Sequence, residues 1–113
     1  MKIMHYSEVK AESVEEGASK LKVRWLITKD VGAENFAMRL FELEPGGYSP
    51  LHSHPWEHEV FILEGEGVVL GDYGQREFKP GDAIFIPPNE KHQFRNNGGK
   101  TLKFLCMVPT KTK

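Results

Sequence analysis

The feature that most limits how this chain can fold is its punctuation. Seven prolines and eleven glycines fall mostly between short apolar runs, so little room is left for long helices. This is how turns separate strands in an antiparallel all-β domain. The runs are KVRWLITK (22–29), FAMRLFELE (36–44), HEVFILEGEG (58–67), VVLGDYGQREF (68–78, with a Gly-Asp-Tyr-Gly turn inside it), AIFIP (83–87), HQFR (92–95) and TLKFLCMVP (101–109). The separators DVGAEN, PGG, KPGD, PNEK and NNGGK are built from turn-forming residues. Eight or so strands at short, even spacing predict a sandwich or barrel. Residues 9–20, VKAESVEEGASK, are the best helical candidate, but Gly17 and a thin apolar stripe limit them to a turn or two. They are read as an arm leading into the sheet. Residues 1–34 are then the arm and first strand and 35–113 the barrel of one domain.

A chain of 113 residues can bury one modest core without disulfides. Fifteen basic residues against sixteen acidic ones give a net charge of -1, which offers no basic field to a phosphate backbone, so nucleic acid is not an expected partner. The opening MKIMHYSEVK is broken by charge, and no apolar run approaches membrane-spanning length, so the expectation is a soluble, cytoplasmic protein with no membrane partner. Cys106 is the only cysteine. An internal disulfide and a cysteine-based metal cluster are therefore excluded, and any metal must be held by nitrogen or oxygen.

Residues 52–59 read HSHPWEHE and hold three of the five histidines. In a strand, residues two apart point to the same side at about 7 Å, so His52 and His54 project together and can converge on one ion. Pro55 has no N–H for a ladder, so the strand should end there and turn through Pro55-Trp56-Glu57 into the next. In that next strand one parity groups His58 with Val60 and Ile62, and the other turns Glu59 inward with Phe61 and Leu63. The local pattern leaves both open. His92 opens HQFR, anchored by Phe94 two residues on. His5 has no partner nearby in sequence and is read as a surface residue.

Two spacings then resemble the cupin motifs. Gly46, His52, His54, His58 and Gly65 follow the first motif, and Gly81, Pro87, His92 and Asn96 follow the second. The resemblance covers most of the chain from about Asn35 to Pro109. It implies an all-β cupin jelly-roll barrel with one metal ion inside, near one mouth. Asn89 stands where the family usually has a glycine, and Asn tolerates the left-handed backbone region that such a turn uses. Counting back from Gly65, the family's glutamate ligand falls on His58, so the site resembles the four-histidine type: His52, His54, His58 and His92. The implied cofactor is one divalent transition metal, with Mn2+ favoured and Fe2+, Ni2+, Cu2+ or Zn2+ as alternatives.

Four neutral imidazoles leave a divalent ion its full charge and suit first-row transition metals rather than calcium or magnesium. Four protein ligands in an octahedral arrangement leave two positions. The expected function is a metal-dependent oxidoreductase of dioxygenase type acting on a small organic substrate; the alternatives are a non-catalytic binding or sensing module and a cupin-type isomerase. Phe104 and Cys106 share a face of the last strand with Leu102 and Val108 and are candidates for the pocket wall. Trp56 is a candidate cap at its mouth, and the glutamates of PWEHE are candidates for orienting the imidazoles. Metal binding is expected to weaken as pH falls through about 6.5, because only neutral imidazole ligates. Finally, VFIL (60–63) is apolar on both faces and must be covered on both, which predicts a homodimer, with the N-terminal arm as the other possible cover.

Overall fold

A computed structural model describes residues 1–112. Nine strands form among them: β1 (Glu12–Val14), β2 (Ser19–Ile27), β3 (Phe36–Tyr48), β4 (His58–Glu64), β5 (Gly67–Gly71), β6 (Gly74–Phe78), β7 (Ala83–Ile86), β8 (Gln93–Arg95) and β9 (Leu102–Pro109). All pair antiparallel in one curled sheet of order β6-β5-β8-β3-β9-β4-β7, and β2 lies along β3 with β1 on its outer edge. This is the all-β architecture that the turn spacing predicts, and it is consistent with the jelly roll that the motif resemblance implies. Among the described residues no helix is long and apolar enough to cross a membrane.

Residues 9–20, read as an arm with at most a turn or two of helix, include a strand instead. A short 3-10 turn lies earlier, at Tyr6–Glu8, and β1 forms a hairpin with β2, Val14 opposite Leu21. Gly17, at φ +73°, supplies the left-handed residue of the connection. Pairing to a neighbouring strand decides this segment, where a weak apolar stripe could not hold a helix.

β3 also runs further than its sequence suggests. It crosses Pro45-Gly46-Gly47 and changes partner on the way, from β9 through Leu43 to β8 at Tyr48. Gly46 takes φ +83° and its N–H reaches the carbonyl of Asn96 at 2.9 Å. The buried Asn96 amide donates to Leu43 O and to Lys100 O, both at 2.8 Å, and holds the crossing closed. After β4 the chain turns at Gly65, with φ +84°, where an added Cβ would lie 2.8 Å from Leu102 Cα.

Inside the barrel β4 and β9 alternate between buried and more exposed residues. Leu102, Phe104, Cys106 and Val108 of β9 are buried with Val60 and Ile62 of β4 and with Ala37 and Leu43 of β3. Phe94 and Phe104 stack at 4.7 Å, and Phe41 and Phe104 at 5.3 Å. The parity of β4 is thereby decided: His58 points in, and Glu59, Phe61 and Leu63 point out.

The arm lies elsewhere. Arg24 donates to Val9 O at 2.6 Å and pairs with Glu42 at 2.9 Å, and Lys103 sits over the Tyr6 ring. The arm is thus fastened outside β2, β3 and β9 and leaves the outer face of β4 open: Phe61 and Leu63 are each 41% exposed and Phe85 of β7 is 59% exposed.

Candidate metal centre

Four histidines meet at one mouth of the barrel. His52 and His54 lie on the extended segment after β3, and a bridge of two backbone hydrogen bonds ties His52 to His92 at 2.9 and 3.2 Å. The carbonyl of His54 accepts from the N–H of Asn89, 2.6 Å away. Asn89 itself takes φ +71°, the left-handed conformation expected of it. His58 opens β4 opposite Ile86 of β7, and His92 immediately precedes β8. The ring of His92 is 4.9 Å from those of both His52 and His58, and His54 is 4.2 Å from His52 and 5.2 Å from His58. One ring nitrogen from each of His52, His54 and His92 lies within 4.8 Å of the other two, a set that could hold a metal ion; His58 is beside this set but not within it.

The second ring nitrogen of His92 fixes its tautomer. His92 Nδ1 lies 2.9 Å from the carbonyl of Glu90. A carbonyl only accepts, so Nδ1 carries the proton and Nε2 keeps its lone pair. His58 Nδ1 is 3.3 Å from Cys106 Sγ and 3.4 Å from Arg39 Nη2, and Arg39 Nη2 is 2.9 Å from the same sulfur. The guanidinium only donates, and both Sγ and His58 Nδ1 lie where they can accept from it, so these contacts allow the His58 proton on either ring nitrogen. His58 Nε2 is buried with no hydrogen-bond partner. An unpaired buried nitrogen costs about 1–3 kcal/mol, and with the proton on Nδ1 a metal ion is a partner that Nε2 can take.

The expected orienting glutamates do not serve. Glu57 and Glu59 are exposed, and among the described residues neither hydrogen-bonds an imidazole. A backbone carbonyl and a thiol hold the rings instead, because β4 turns Glu59 away from the barrel.

Burial holds all four rings neutral. It lowers His52 to about 4, with His54 as the next cause, and His58 to about 3, with the Arg39 guanidinium next. His54 and His92 are lowered as well, burial again first; for His92 the Glu90 carbonyl opposes the shift. Proton competition is therefore displaced well below the value near 6.5 expected from the sequence. In the unfolded chain these histidines take up protons below about 6.5, while His52 and His58 in the folded chain stay neutral down to about 4 and 3. The unfolded state binds more protons across that window, so stability must fall as pH drops through it. Chelator-treated protein should show a falling urea midpoint from pH 7 to pH 5; a flat profile would contradict this account.

The imidazoles open onto a cavity of about 230 Å³ whose walls include Phe41, Phe94, Phe104 and Cys106. Trp56 is not part of that wall. It stacks flat on His54 at 4.6 Å and 5° and faces an outer groove. Arg39 does line the cavity, and sequence reasoning missed it. Its signal was parity: within FAMRLFELE it alternates in step with Ala37, Phe41 and Leu43, and a charge inside an apolar face is the informative residue.

The cupin domain model matches residues 39–108, which span the four histidines, Arg39 and Cys106. The chain is a cupin. Among solved structures, the polyketide cyclase RemF from Streptomyces resistomycificus is 43% identical with a TM-score of 0.92, covering 97% of this chain and 80% of that one. The oxalate-binding protein of Thermotoga maritima is 31% identical, with 94% of this cupin and 92% of the relative aligned. The 1-methylthio-D-xylulose 5-phosphate methylsulfurylase of Rhodospirillum rubrum is 41% identical over 71 residues, 63% of this chain, and the match spans only 46% of that relative's length.

Proposed function

We propose that this cupin is a metal-dependent enzyme acting on a small carbonyl compound that forms an enol, with His52, His54, His58 and His92 holding one divalent first-row ion. The observation that carries this reading is the buried Nε2 of His58, which has no hydrogen-bond partner, beside three imidazoles whose ring nitrogens already converge. Manganese is the favoured ion, and an all-nitrogen donor set equally accepts iron, nickel, copper or zinc. Such an ion supplies Lewis acidity, polarising a carbonyl and stabilising the negative charge of an enolate. The chain's own part is to bind and orient. Glu90 O and Cys106 Sγ fix two of the rings, and Phe41, Phe94 and Phe104 keep water from the organic part of the substrate.

The polyketide cyclase relative supports carbonyl chemistry, since polyketides are compounds rich in ketone groups. The expected dioxygenase reaction stands as the second reading, favoured by the apolar cavity walls. A purely binding role is what the name of the oxalate-binding relative suggests. A homodimer remains our proposal for the exposed outer face of β4 and β7, and a cytoplasmic location for the whole.

The test uses one neutral chelating ketone, hydroxymethyl phenyl ketone, incubated with metal-loaded protein in deuterated buffer. Exchange of its α-protons, followed by NMR, should accelerate with manganese- or zinc-loaded protein and return to background in His52→Ala. An oxygen electrode run in parallel separates the readings: uptake favours the dioxygenase, and neither exchange nor uptake overturns the enzyme in favour of a binding module.

A further inference from the structure

The cavity contains a cation for which the protein provides no anion. Arg39 lines it together with the four imidazoles, and no aspartate or glutamate is among its lining residues. Among the described residues Arg39 forms no ion pair, in contrast to Arg24, which is matched by Glu42 at 2.9 Å. The guanidinium is held in place from three sides. It lies over the rings of Trp25 and Phe41 at 5.3 and 4.8 Å, and Nη2 reaches Cys106 Sγ at 2.9 Å. Its Nε is buried and has no hydrogen-bond partner. A charge partly withdrawn from water without a counter-ion is costly, and a fixed, stacked guanidinium is suited to carboxylate recognition.

We propose that Arg39 is the substrate-recognition residue of this site and that the substrate is an organic carboxylate with a planar, apolar body. The carboxylate pairs with the guanidinium, and the body lies against Phe41 and Phe104. This rests on the metal-site reading for the reacting end of the substrate; the recognition of the carboxylate by Arg39 does not need the ion.

The probes are benzoate and its neutral counterpart benzamide, titrated calorimetrically into the zinc-loaded and the metal-free full chain. A hydrogen-bonded charge pair is worth about 1.5–3 kcal/mol, which is roughly a 10- to 100-fold preference. Wild-type protein should therefore favour benzoate at least about 10-fold, and the preference should persist without metal. Arg39→Gln should lose benzoate binding by that factor, leave benzamide within about 2-fold, and keep its zinc. Arg39→Lys retains the charge without the planar fork and should lie between the two. If Arg39→Gln no longer melts cooperatively, the lysine variant decides, and unchanged benzoate affinity there overturns the proposal. So does equal affinity for the two probes, or an equal loss of both in Arg39→Gln. A wild-type chain that takes up no zinc defeats the metal reading alone, because the benzoate preference is still read on metal-free protein.

Discussion

His92→Ala is expected to leave the purified chain without stoichiometric metal. His92 is tied by its backbone to His52 and by Nδ1 to the Glu90 carbonyl, and its ring is the one within 4.9 Å of both His52 and His58. Loss of an outer partner of a metal ligand typically costs 10–100-fold in affinity, and loss of a ligand should exceed about 100-fold. His58→Ala should come close to the same result, because it removes the buried, unpartnered Nε2. Glu59→Gln should leave metal content nearly unchanged, since that side chain is exposed on the far face of β4. Metal per chain by mass spectrometry, together with the rise in melting temperature on adding metal, reads all three. A Glu59→Gln chain that loses its metal while His58→Ala keeps it would exchange the roles assigned to these residues.

The largest effect on folding is expected at Ile62. Its side chain has no exposed surface, sits in the middle of β4, and faces the stacked rings of the core opposite Phe104. Ile62→Ala should cost about 2–5 kcal/mol, the range for emptying a well-packed position, measured as a lowered urea midpoint with an unchanged slope. Phe61→Ala, one residue away on the outer face, should cost the single chain much less. Comparable losses at the two positions would contradict the inward parity of β4, and with it the placing of His58, which belongs to the same alternation.

Much of the fold is legible in the residues because two periodicities are local. Side chains alternate along a strand, and turn residues mark where strands stop, so the string TLKFLCMVP already displays its inner set, Leu102, Phe104, Cys106 and Val108. Asn89 shows its left-handed conformation in the same way, since few other residues accept that region. The segment 9–20 is misleading for a related reason. Its apolar stripe is too thin to specify a helix, and what it becomes depends on β2, a partner supplied from elsewhere in the chain.

The order of residues was enough to establish an all-β barrel, histidines spaced as in the cupin motifs, and the impossibility of a cysteine-built metal cluster. Motif spacing to Gly65 already favoured His58 over Glu59, but which of the two points inward was decided by packing, because the local alternation of β4 reads alike in both parities until one face lies against Phe104. Folding alone brought Arg39 and Cys106 to His58, across 19 and 48 residues of chain, and left the guanidinium in a cavity without a carboxylate. Contacts between remote strands follow from how the sheet curls, and no local pattern of residues encodes that distance.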